Sequence, residues 1–413
     1  MSVSKAAHDD DISQCRADFP CLQQEIQAHP LVYLDSAASA QMPAAVIDAV
    51  SNYQSRDHAN VHRGVHTLSH RATEAFENAR EQTRAFIGAR SSNEIIFTRG
   101  TTESINLVAQ SFLRPRLQAG DQVLITYLEH HSNIVPWQLV CEESGAELVA
   151  APINESGELL LDDLFELLTE RVKLLAIGHV SNALGTINPL ETIIARARDN
   201  GIPVLVDGAQ AVPHMNVDVQ ALDCDFYAFS GHKMFAPTGI GVLYGRETLL
   251  EAMPPWQGGG DMILEVSFAG TTFNSLPYKF EAGTPNISGA VGLAAAMQYL
   301  DSVGLDKIAR HEAGLLAYMT ARLGEVEGLT LVGTARQKAS VQSFVMDGIH
   351  SHDLGTILDH QGVAIRTGHH CAMPVMAFFK LSGTARASLA LYNNEDDIDR
   401  LIDAIVVAKR MFG

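Results

Sequence analysis

Short apolar segments rich in β-branched residues alternate with amphipathic segments between residues 94 and 245. The apolar segments are EIIFTRG (94–100), QVLITYLEH (122–130), LLAIGHVSN (174–182), PVLVDGAQ (203–210), FYAFSG (226–231) and GIGVLYG (239–245). Helix-like segments such as TTESINLVAQSFL and LETIIARARDNG separate several of them, with apolar residues three and four positions apart. This rhythm predicts an α/β fold with a mostly parallel central sheet that helices cover on both faces.

The length of the chain predicts more than one domain, because 413 residues exceed what one hydrophobic core usually organises. After GGGDMI (258–263) the sequence becomes loop-like through FEAGTPN (280–286), and helix and strand patterns fill the remainder. We therefore predict an N-terminal arm over residues 1–25, a large domain over 26–295 and a smaller α+β C-terminal domain over 296–413. The arm is expected to pack with the small domain.

The formal net charge of -19 disfavours nucleic acid and anionic membrane surfaces as partners, since both attract proteins through a positive surface. A small molecule or another protein is the expected partner. The N-terminal sequence MSVSKAAHDDDISQC is polar and acidic, which predicts neither a signal peptide nor a transit peptide. Five cysteines without a CxxC pair suit a reducing compartment, and the expected location is the cytoplasm.

Polar and ionisable residues follow the predicted strands at the point where each strand ends. In open α/β sheets, ligands bind outside the carboxyl ends of the strands, because the loops there face one crevice. The residues so placed are Glu129, His130, His131, Ser181, Asn182, Asp207, Gln210, Ser230, His232 and Lys233. Lysine forms imines with carbonyl compounds, and desolvation lowers its pKa toward reactivity. A lysine that directly follows a buried strand therefore favours a chemical role.

These residue types fit pyridoxal phosphate (PLP), which needs a lysine, an acid for its ring nitrogen, a phosphate site and an aromatic group against its ring. The candidates are Lys233 for the amine, Asp207 for the acid, the predicted helix start at Thr101 and Thr102 with Ser230 and His232 for the phosphate, and His130 for the stacking group. Each residue alone is more often a helix cap or a turn former. Their joint placement at successive strand ends favours the cofactor site.

Several longer motifs occur in order along the chain. They are GTTESINLVA, EHHSNIVPW, HVSNALGTINP, VDGAQAV, FSGHKMFAPTGIGVLYG, FEAGTPN and RTGHHCAMP. With these motifs the chain resembles, nearly end to end, the cysteine desulfurases of aminotransferase class V. Among them it is most similar to the group II enzymes of the Suf iron–sulfur assembly system, which also include selenocysteine lyases. The resemblance implies a PLP-dependent transferase of fold type I that acts as a homodimer.

The resemblance also implies a role for each matching residue. Lys233 would carry PLP, His130 would stack on it, Asp207 would pair with its ring nitrogen and Gln210 with its phenolic oxygen. The phosphate ligands would be Thr102, Ser230 and His232, with Thr284 reaching across from the second subunit. Asn182, which also borders the cofactor, and Arg386 would hold the substrate carboxylate, and Arg366 would join the substrate-binding residues. Arginine suits this task because its planar fork pairs with both carboxylate oxygens.

The segment IRTGHHCAMP places Cys371 beside an arginine and two histidines. If PLP labilises the Cα proton of bound cysteine, with the Lys233 amine as base, a nucleophile is still needed to accept the substrate sulfur. We predict that the Cys371 thiolate attacks this sulfur and becomes a persulfide while cysteine becomes alanine. Arg366, His369 and His370 would favour the thiolate through positive charge and hydrogen bonds.

Two other interpretations of the HHC sequence carry less weight. A metal site is disfavoured because three consecutive residues in an extended segment point alternately to opposite sides, and no second Cys/His cluster has zinc-like spacing. No metal is therefore predicted. A buried, inert thiol is disfavoured by the neighbouring glycine and polar residues. Cys141 and Cys224 lie in apolar contexts and are expected to be structural.

The sequence thus predicts a PLP-dependent cysteine desulfurase that forms a persulfide on Cys371. Its expected partners are L-cysteine, a second copy of the chain and a sulfur-acceptor protein of the Suf system that supplies iron–sulfur cluster assembly. Selenocysteine lyase activity, with L-selenocysteine as substrate, is the nearest alternative. A true aminotransferase is a more distant one and would have no use for Cys371. A metal-binding or scaffold protein that uses the histidine pairs is the alternative outside enzymes.

Overall fold

The structure is a computed structural model, and it describes residues 12–412. Within this range the strands are β1 (Glu25–Ile26), β2 (His29–Pro30), β3 (Val32–Tyr33), β4 (Ile95–Thr98), β5 (Gln122–Thr126), β6 (Glu147–Ala151), β7 (Val172–Gly178), β8 (Val204–Asp207), β9 (Phe226–Ser230), β10 (Gly241–Gly245), β11 (Ile263–Ser267), β12 (Gly270–Phe273), β13 (Leu329–Val332), β14 (Val341–Met346), β15 (Val363–Ala364), β16 (Arg366–Gly368) and β17 (Thr384–Ser388). The α-helices of the same range are α1 (Ala44–Asn52), α2 (Thr67–Phe86), α3 (Thr101–Leu107), α4 (Val135–Ser144), α5 (Leu161–Leu167), α6 (Leu190–Asp199), α7 (Val219–Leu222), α8 (Glu247–Ala252), α9 (Ile287–Val303), α10 (Leu305–Gly324), α11 (Ser351–His360), α12 (Met373–Phe378) and α13 (Glu395–Phe412). In this part of the chain no helix is both long and apolar enough to cross a membrane.

A seven-stranded sheet forms the centre, with the strand order β4, β10, β9, β8, β7, β5, β6. The strands from β9 to β6 pair in parallel, and β10 runs antiparallel to both of its neighbours. In β5, Val123 and Ile125 belong to one hydrophobic cluster and Leu124 belongs to another, because successive side chains point to opposite faces. Both faces are therefore buried, and the predicted α/β fold with a mostly parallel sheet is confirmed.

The apolar segments read from the sequence correspond to β4, β5, β7, β8, β9 and β10. The edge strand β6 and the hairpin of β11 and β12 were not predicted. The edge strand β6 escapes the pattern because its side chains are mostly half-exposed. The region between 258 and 286 was expected to be loop, but β11 and β12 pair there as an antiparallel hairpin. The helix predicted over residues 101–113 is α3 followed by a wider π-helical segment, Val108–Leu113.

A second, antiparallel sheet has the order β13, β14, β17, β16. Helices α10, α11 and α13 share its core, which includes Leu315, Met319, Phe344, Leu354, Ala385, Ile398 and Ile405. Residues from the N-terminal region join this core, since Val32 and Leu34 belong to it and β3 pairs in parallel with β15. The second sheet thus carries Arg366 on β16 and Arg386 on β17 toward the central sheet.

The segment before β1 contacts both halves of the fold. Arg16 forms an ion pair of 2.9 Å with Asp397 on α13. Phe19 is fully buried and packs its ring edge-on against Tyr392 and Phe235. Helix α9 runs through residue 295, where the sequence places the boundary between the two domains. The division into arm, large domain and small domain stays a prediction, and residues 1–11 of the arm and residue 413 lie outside the described range.

A buried ion pair ties α2 to the edge of the central sheet. The Arg80 guanidinium donates to both carboxylate oxygens of Glu281, at 2.6 and 2.9 Å, and to the Ile95 carbonyl at 2.8 Å. Glu281 in turn accepts the Phe97 N–H at 2.7 Å, so that the arginine and the strand share one carboxylate. Both side chains are almost fully buried, which makes the loss of either partner costly.

We expect Arg80→Met to lower the free energy of unfolding by about 3–5 kcal/mol, because it leaves the Glu281 carboxylate buried without its cation. The control is Arg84→Met one turn away, where the ion pair with Glu81 is exposed and contributes about 0–1 kcal/mol. Urea unfolding of both variants measures the difference. Equal destabilisation by the two substitutions would contradict the assignment.

Candidate active site

Residues that follow four neighbouring strands of the central sheet converge on one cavity of about 460 Å³. The second sheet closes the other side of this cavity. The predicted site residues that line it are Thr102, His130, Asn182, Asp207, Ser230, His232, Lys233, Arg366, Cys371 and Arg386. The lysine and the cysteine, which lie 138 positions apart in sequence (371 minus 233), therefore open onto one space.

Two predicted site residues lie outside this cavity. Gln210 borders a small adjoining space together with Lys233 and Asp207, and its amide donates to the Ala37 carbonyl at 2.6 Å. Thr284 lines a separate cavity of about 310 Å³, which is bounded by the loops after β4 and before α9. Within a single chain, Thr284 is not part of the site.

The Lys233 amine and the Asp207 carboxylate, which have opposite charges when ionised, line the same cavity. Burial lowers the pKa of the Lys233 amine, and the Asp207 carboxylate opposes that shift. Burial raises the pKa of Asp207, and the Lys233 ammonium opposes it. The Asp207 Oδ1 accepts the Ala209 N–H at 3.0 Å, which orients the carboxylate at the end of β8. A lysine whose charge is disfavoured is a better nucleophile and base than a solvated one.

Burial disfavours the charged form of two imidazoles of the cavity, His130 and His232. Burial lowers the pKa of His130 to about 3, and the charges of Lys233 and Arg386 contribute to the shift. Burial likewise lowers the pKa of His232 to about 4. The His130 Nδ1 accepts the Ser132 N–H at 3.1 Å, so the ring carries its proton on Nε2. An uncharged ring held in this way can lie flat against another aromatic ring.

The start of α3 and the end of β9 meet at one end of the cavity. Ser230 Oγ accepts the Thr101 N–H at 2.8 Å and lies 2.8 Å from the Thr101 hydroxyl. Gly100 precedes the helix with a φ of +154°, and a Cβ at this position would lie 3.1 Å from Ser230 Oγ. The close approach places hydroxyls and a helix start together, as phosphate binding requires.

Arg386 lies at the opposite side and is 2% exposed. Its guanidinium donates to the Asn182 carbonyl at 2.9 Å and to Asp35 at 3.1 Å. Asp35 also pairs with Arg366 at 3.2 Å, so one carboxylate holds both arginines. Among residues 12–412, Arg386 Nε and Asn182 Oδ1 are buried without a hydrogen-bond partner. These unsatisfied polar atoms fit a polar ligand such as an amino acid.

Cys371 occupies a tight turn between β16 and α12. His370 and Cys371 have φ values of +52° and +53°, so two successive residues that are not glycine are left-handed. This conformation costs roughly 1–2 kcal/mol per residue. The prediction that residues 369–371 form an extended segment is wrong, because a strand cannot contain two left-handed residues. The turn directs Cys371 to the rim of the cavity, where it is exposed.

Within the described residues, the side chains form no group that could hold a metal ion, and the Cys141 and Cys224 thiols are buried. In the described part of the chain, no three or more His, Cys, Asp or Glu side chains are grouped so that they could hold a metal ion. Burial raises the pKa of the Cys141 thiol to about 11 and that of Cys224 further still. Such thiols are unreactive at neutral pH.

Three residues around the cavity were not assigned from the sequence. Asp35, which holds both arginines, is a lone acid far from every motif that contains them. Glu129 is buried behind His130, and burial raises its pKa to about 7. His131 contacts the Cys371 turn through its backbone and its ring. The doubled histidine of EHHSN was the available signal for His131.

Comparison with known proteins gives a family for this fold and site. The family model for aminotransferase class V matches residues 32–401. A cysteine desulfurase of Salmonella agona (strain SL483) is 54% identical over 403 residues, which cover 97% of this chain and 99% of the relative. The crystal structure of the cysteine desulfurase CsdA (S-sulfonic acid) from Escherichia coli has a TM-score of 0.91 and 43% identity, covering 97% of this chain and 99% of that one. The apo cysteine desulfurase from Thermococcus onnurineus NA1 has a TM-score of 0.91 and 39% identity, covering 99% of both chains.

The chain belongs to the aminotransferase class V family. The family predicted from the motifs is therefore confirmed, and so is the predicted class of fold. Membership in the Suf-type group II subgroup stays a prediction.

The Cys371 turn contains a titratable group that predicts acid sensitivity. Burial lowers the pKa of His370 to about 3 from its ordinary 6.5, with the charges of Arg386 and Arg366 adding to the shift. An unfolded chain binds a proton on this ring near pH 6.5, whereas the folded chain does not until about pH 3. The contribution of the neutral His370 ring to the free energy of unfolding is therefore fully present above pH 6.5. It is lost progressively as the pH falls from 6.5 toward about 3.

We expect His370 to account for about 2 kcal/mol of lost stability when the pH falls from about 7.5 to about 5. Glutamine can replace its 2.8 Å hydrogen bond to Thr384 without titrating. Urea unfolding at both pH values should show a smaller pH dependence for His370→Gln than for the natural chain. His369→Gln, at the exposed neighbour, is the control and should retain the dependence of the natural chain. An unchanged dependence in His370→Gln would refute the assignment.

Proposed function

We propose that this protein is a PLP-dependent cysteine desulfurase that converts L-cysteine to L-alanine and forms a persulfide on Cys371. The observation that carries the proposal is that Lys233 and Cys371 line one cavity, which Arg386 also borders. The amine, the thiol and the carboxylate-binding cation are the groups needed to act on one bound amino acid. The curated relatives named cysteine desulfurase support the same activity.

The residues present fit the cofactor. Asp207 offers a buried carboxylate to a ring nitrogen, Lys233 offers an amine of lowered pKa, and His130 offers a neutral ring. Ser230 and the start of α3 with Thr102 would hold the phosphate, together with His232. PLP bound in this way supplies an electron sink that weakens the bonds at Cα of the amino acid.

The protein's own groups bind the substrate and move protons and sulfur. Arg386 and Asn182 would hold the carboxylate, and Arg366 lies at the same rim. The Lys233 amine would take the Cα proton, because its lowered pKa leaves it available as a base. The Cys371 thiolate attacks the substrate sulfur, so that an S–S bond forms and the C–S bond breaks. The electron pair of the broken C–S bond stays on Cβ, which takes up one proton, and Cα takes back the proton held by Lys233, which leaves alanine.

The sulfur should be located directly by mass spectrometry after the PLP-loaded protein reacts with L-cysteine. We expect one added sulfur on the peptide that carries Cys371. Lys233→Ala should abolish both alanine formation and the added sulfur, because the base and cofactor anchor are lost. Cys371→Ser should abolish the added sulfur and lower alanine formation by at least roughly 100-fold, the scale of a lost nucleophile.

Cys21→Ser is the matched control, since Cys21 is also an exposed free thiol but lies away from the cavity. This variant should react as the natural chain does. Sulfur found on another cysteine would overturn the assignment of Cys371. Undiminished amino-acid turnover by Cys371→Ser, with amino transfer to a keto acid, would show that the protein is an aminotransferase instead.

The persulfide sulfur would pass to an acceptor protein of the Suf type for iron–sulfur cluster assembly. Cys371 is exposed at the rim of the cavity, and Met373 beside it is 58% exposed, so another protein can reach the thiol without entering the site. All five cysteines are free thiols, which supports the proposed cytoplasmic location. L-Selenocysteine belongs to the same proposal as an alternative substrate.

We also propose that the working unit is a homodimer in which Thr284 completes the phosphate site of the partner subunit. The separate cavity that Thr284 lines supports a role outside its own site. Thr284→Val should then weaken PLP binding by roughly 10- to 100-fold, the value of a hydrogen bond to a charged group.

Mixed dimers test whether Thr284 acts across the interface. A hybrid of Lys233→Ala and Thr284→Val subunits should regain one complete site, because the intact Lys233 of one subunit meets the intact Thr284 of the other. PLP titration and alanine formation measure the recovery, with the two parent homodimers as controls. No recovery in a purified hybrid would mean that Thr284 serves its own subunit or no site.

A further inference from the structure

His131 joins the central sheet to the turn that carries Cys371. Its backbone N–H donates to the Cys371 carbonyl at 2.8 Å. Its imidazole Nε2 accepts the Met373 N–H at 3.1 Å. One residue therefore bonds the backbone on both sides of Ala372, at the end of the turn and at the start of α12.

The contact to Met373 also caps a helix. Met373 is the first residue of α12, and the first N–H groups of a helix have no partner within it. Ala372, which precedes the helix, has no side-chain acceptor, and Pro374, which follows Met373, has no N–H. The His131 ring supplies the acceptor that the local sequence lacks. The orientation of α12 relative to the turn thus depends on a side chain from the other sheet.

The geometry fixes the protonation of the ring. A backbone N–H can only donate, so Nε2 must be unprotonated and the neutral ring carries its proton on Nδ1. The rings that face it are those of His130 and His369, at centroid distances of 6.3 and 5.7 Å. Burial and the nearby His369 lower the pKa of His131, in agreement with a neutral acceptor.

The turn needs such support because two of its residues are left-handed. Within the turn, Cys371 N–H donates to His369 Nδ1 at 3.1 Å, and Ala372 N–H donates to the His369 carbonyl at 2.8 Å. Asn182 adds a bond of 2.6 Å to the His370 carbonyl. The first two contacts lie within the turn, and the Asn182 contact joins the turn to the central sheet ahead of Cys371. His131 joins the segment that follows β5 to the Cys371 carbonyl and to the Met373 N–H beyond it.

His131 is itself held firmly. It begins a short 3₁₀ turn, His131–Asn133, in which the Asn133 amide donates to Glu129 at 2.5 Å. The other oxygen of Glu129 accepts the Thr126 hydroxyl at 2.6 Å and the Gly178 N–H at 3.0 Å. Glu129 is 1% exposed, so this link joins β5 and β7 beneath the turn. The position of His131 therefore follows the central sheet, which also carries Lys233.

We propose that His131 is a positioning residue for Cys371, which sets the place of the nucleophilic thiol by holding the backbone on both sides of Ala372. The inference rests on the proposed desulfurase function. His131 needs no contact with substrate or cofactor for this role. Its ring acts as a neutral hydrogen-bond acceptor that connects the half of the site with Lys233 to the half with Cys371.

Replacing His131 with glutamine or with asparagine, two amide side chains of different length, distinguishes a role in positioning Cys371 from a general structural role. In His131→Gln, the side-chain oxygen can reach the place of Nε2 and accept the Met373 N–H. In His131→Asn, the oxygen lies one bond closer to the backbone and cannot reach it. His131→Ala removes the acceptor entirely. All three keep the backbone N–H that donates to Cys371.

The test uses the PLP-loaded full-length protein and measures the rate of persulfide formation on Cys371 in a single turnover with L-cysteine. We expect His131→Ala and His131→Asn to slow this step by roughly 10- to 100-fold, as small misplacements of a reacting group do. His131→Gln should recover most of the rate. The cofactor absorbance and its change on adding L-cysteine should be the same in all variants, because the cofactor side of the site is untouched.

Hydrogen exchange at the Met373 amide gives a second readout that does not depend on activity. The amide should be protected in the natural chain and in His131→Gln, and it should exchange faster in the Ala and Asn variants. Equal rates of persulfide formation in all variants would overturn the inference, as would an equal loss in Gln and Asn. If the natural chain itself forms no persulfide on Cys371, the proposed function has failed, and the exchange data still decide whether His131 holds the turn.

Discussion

The two sheets meet through a short set of hydrogen bonds on which the site depends. Arg386 from the second sheet donates to the carbonyl of Asn182, which follows β7 of the central sheet. The Asn182 amide then donates to the His370 carbonyl, back on the second sheet's side. A residue from each side thus fixes the other. Together with the His131 bonds to the Cys371 turn, this mutual contact sets the position of the thiol relative to the amine.

The same junction explains the electrostatics of the cavity. Asp35 balances two arginines, while His130, His232 and His370 stay neutral because burial disfavours their charge. Besides the Lys233 amine, the positive groups that face the cavity are therefore the guanidinium groups of Arg366 and Arg386, which hold their protons at any physiological pH. Under the proposed function, these guanidinium groups would attract the carboxylate of the amino acid to a fixed place, and the neutral rings would stack or accept hydrogen bonds.

Much of the fold could be predicted because burial on both faces of a parallel sheet requires continuous apolar strands. That rule identified β4, β5, β7, β8, β9 and β10, and with them the strand ends at which Asp207 and Lys233 lie. It missed β6, an edge strand with half-exposed side chains, and the exposed hairpin of β11 and β12, because neither has two buried faces. The left-handed turn was also missed, since residues other than glycine seldom adopt that backbone and two of them in succession carry no sequence signal for it.

The site was predictable where its residues lie in motifs and unpredictable where it depends on contacts between distant segments. Lys233, Asp207 and Cys371 stand in recognisable local patterns. Asp35 bonds a residue 351 positions away, and a lone aspartate after a short strand has many ordinary explanations. The sequence shows which chemical groups are available, whereas their supporting contacts appear only when the chain is folded.

The left-handed turn places the Cys371 sulfur at an opening to solvent and not in the depth of the cavity. Under the proposed function, this thiol must pass on the sulfur that it receives, and its exposed position allows another protein to reach it. The same opening admits peroxides and other oxidants, which convert accessible thiolates to acids that no longer accept sulfur. Under the proposed function, sulfur transfer and oxidation of the thiol would use the same opening. An acceptor protein that covers the rim would then protect the Cys371 thiol from oxidants while it receives the sulfur.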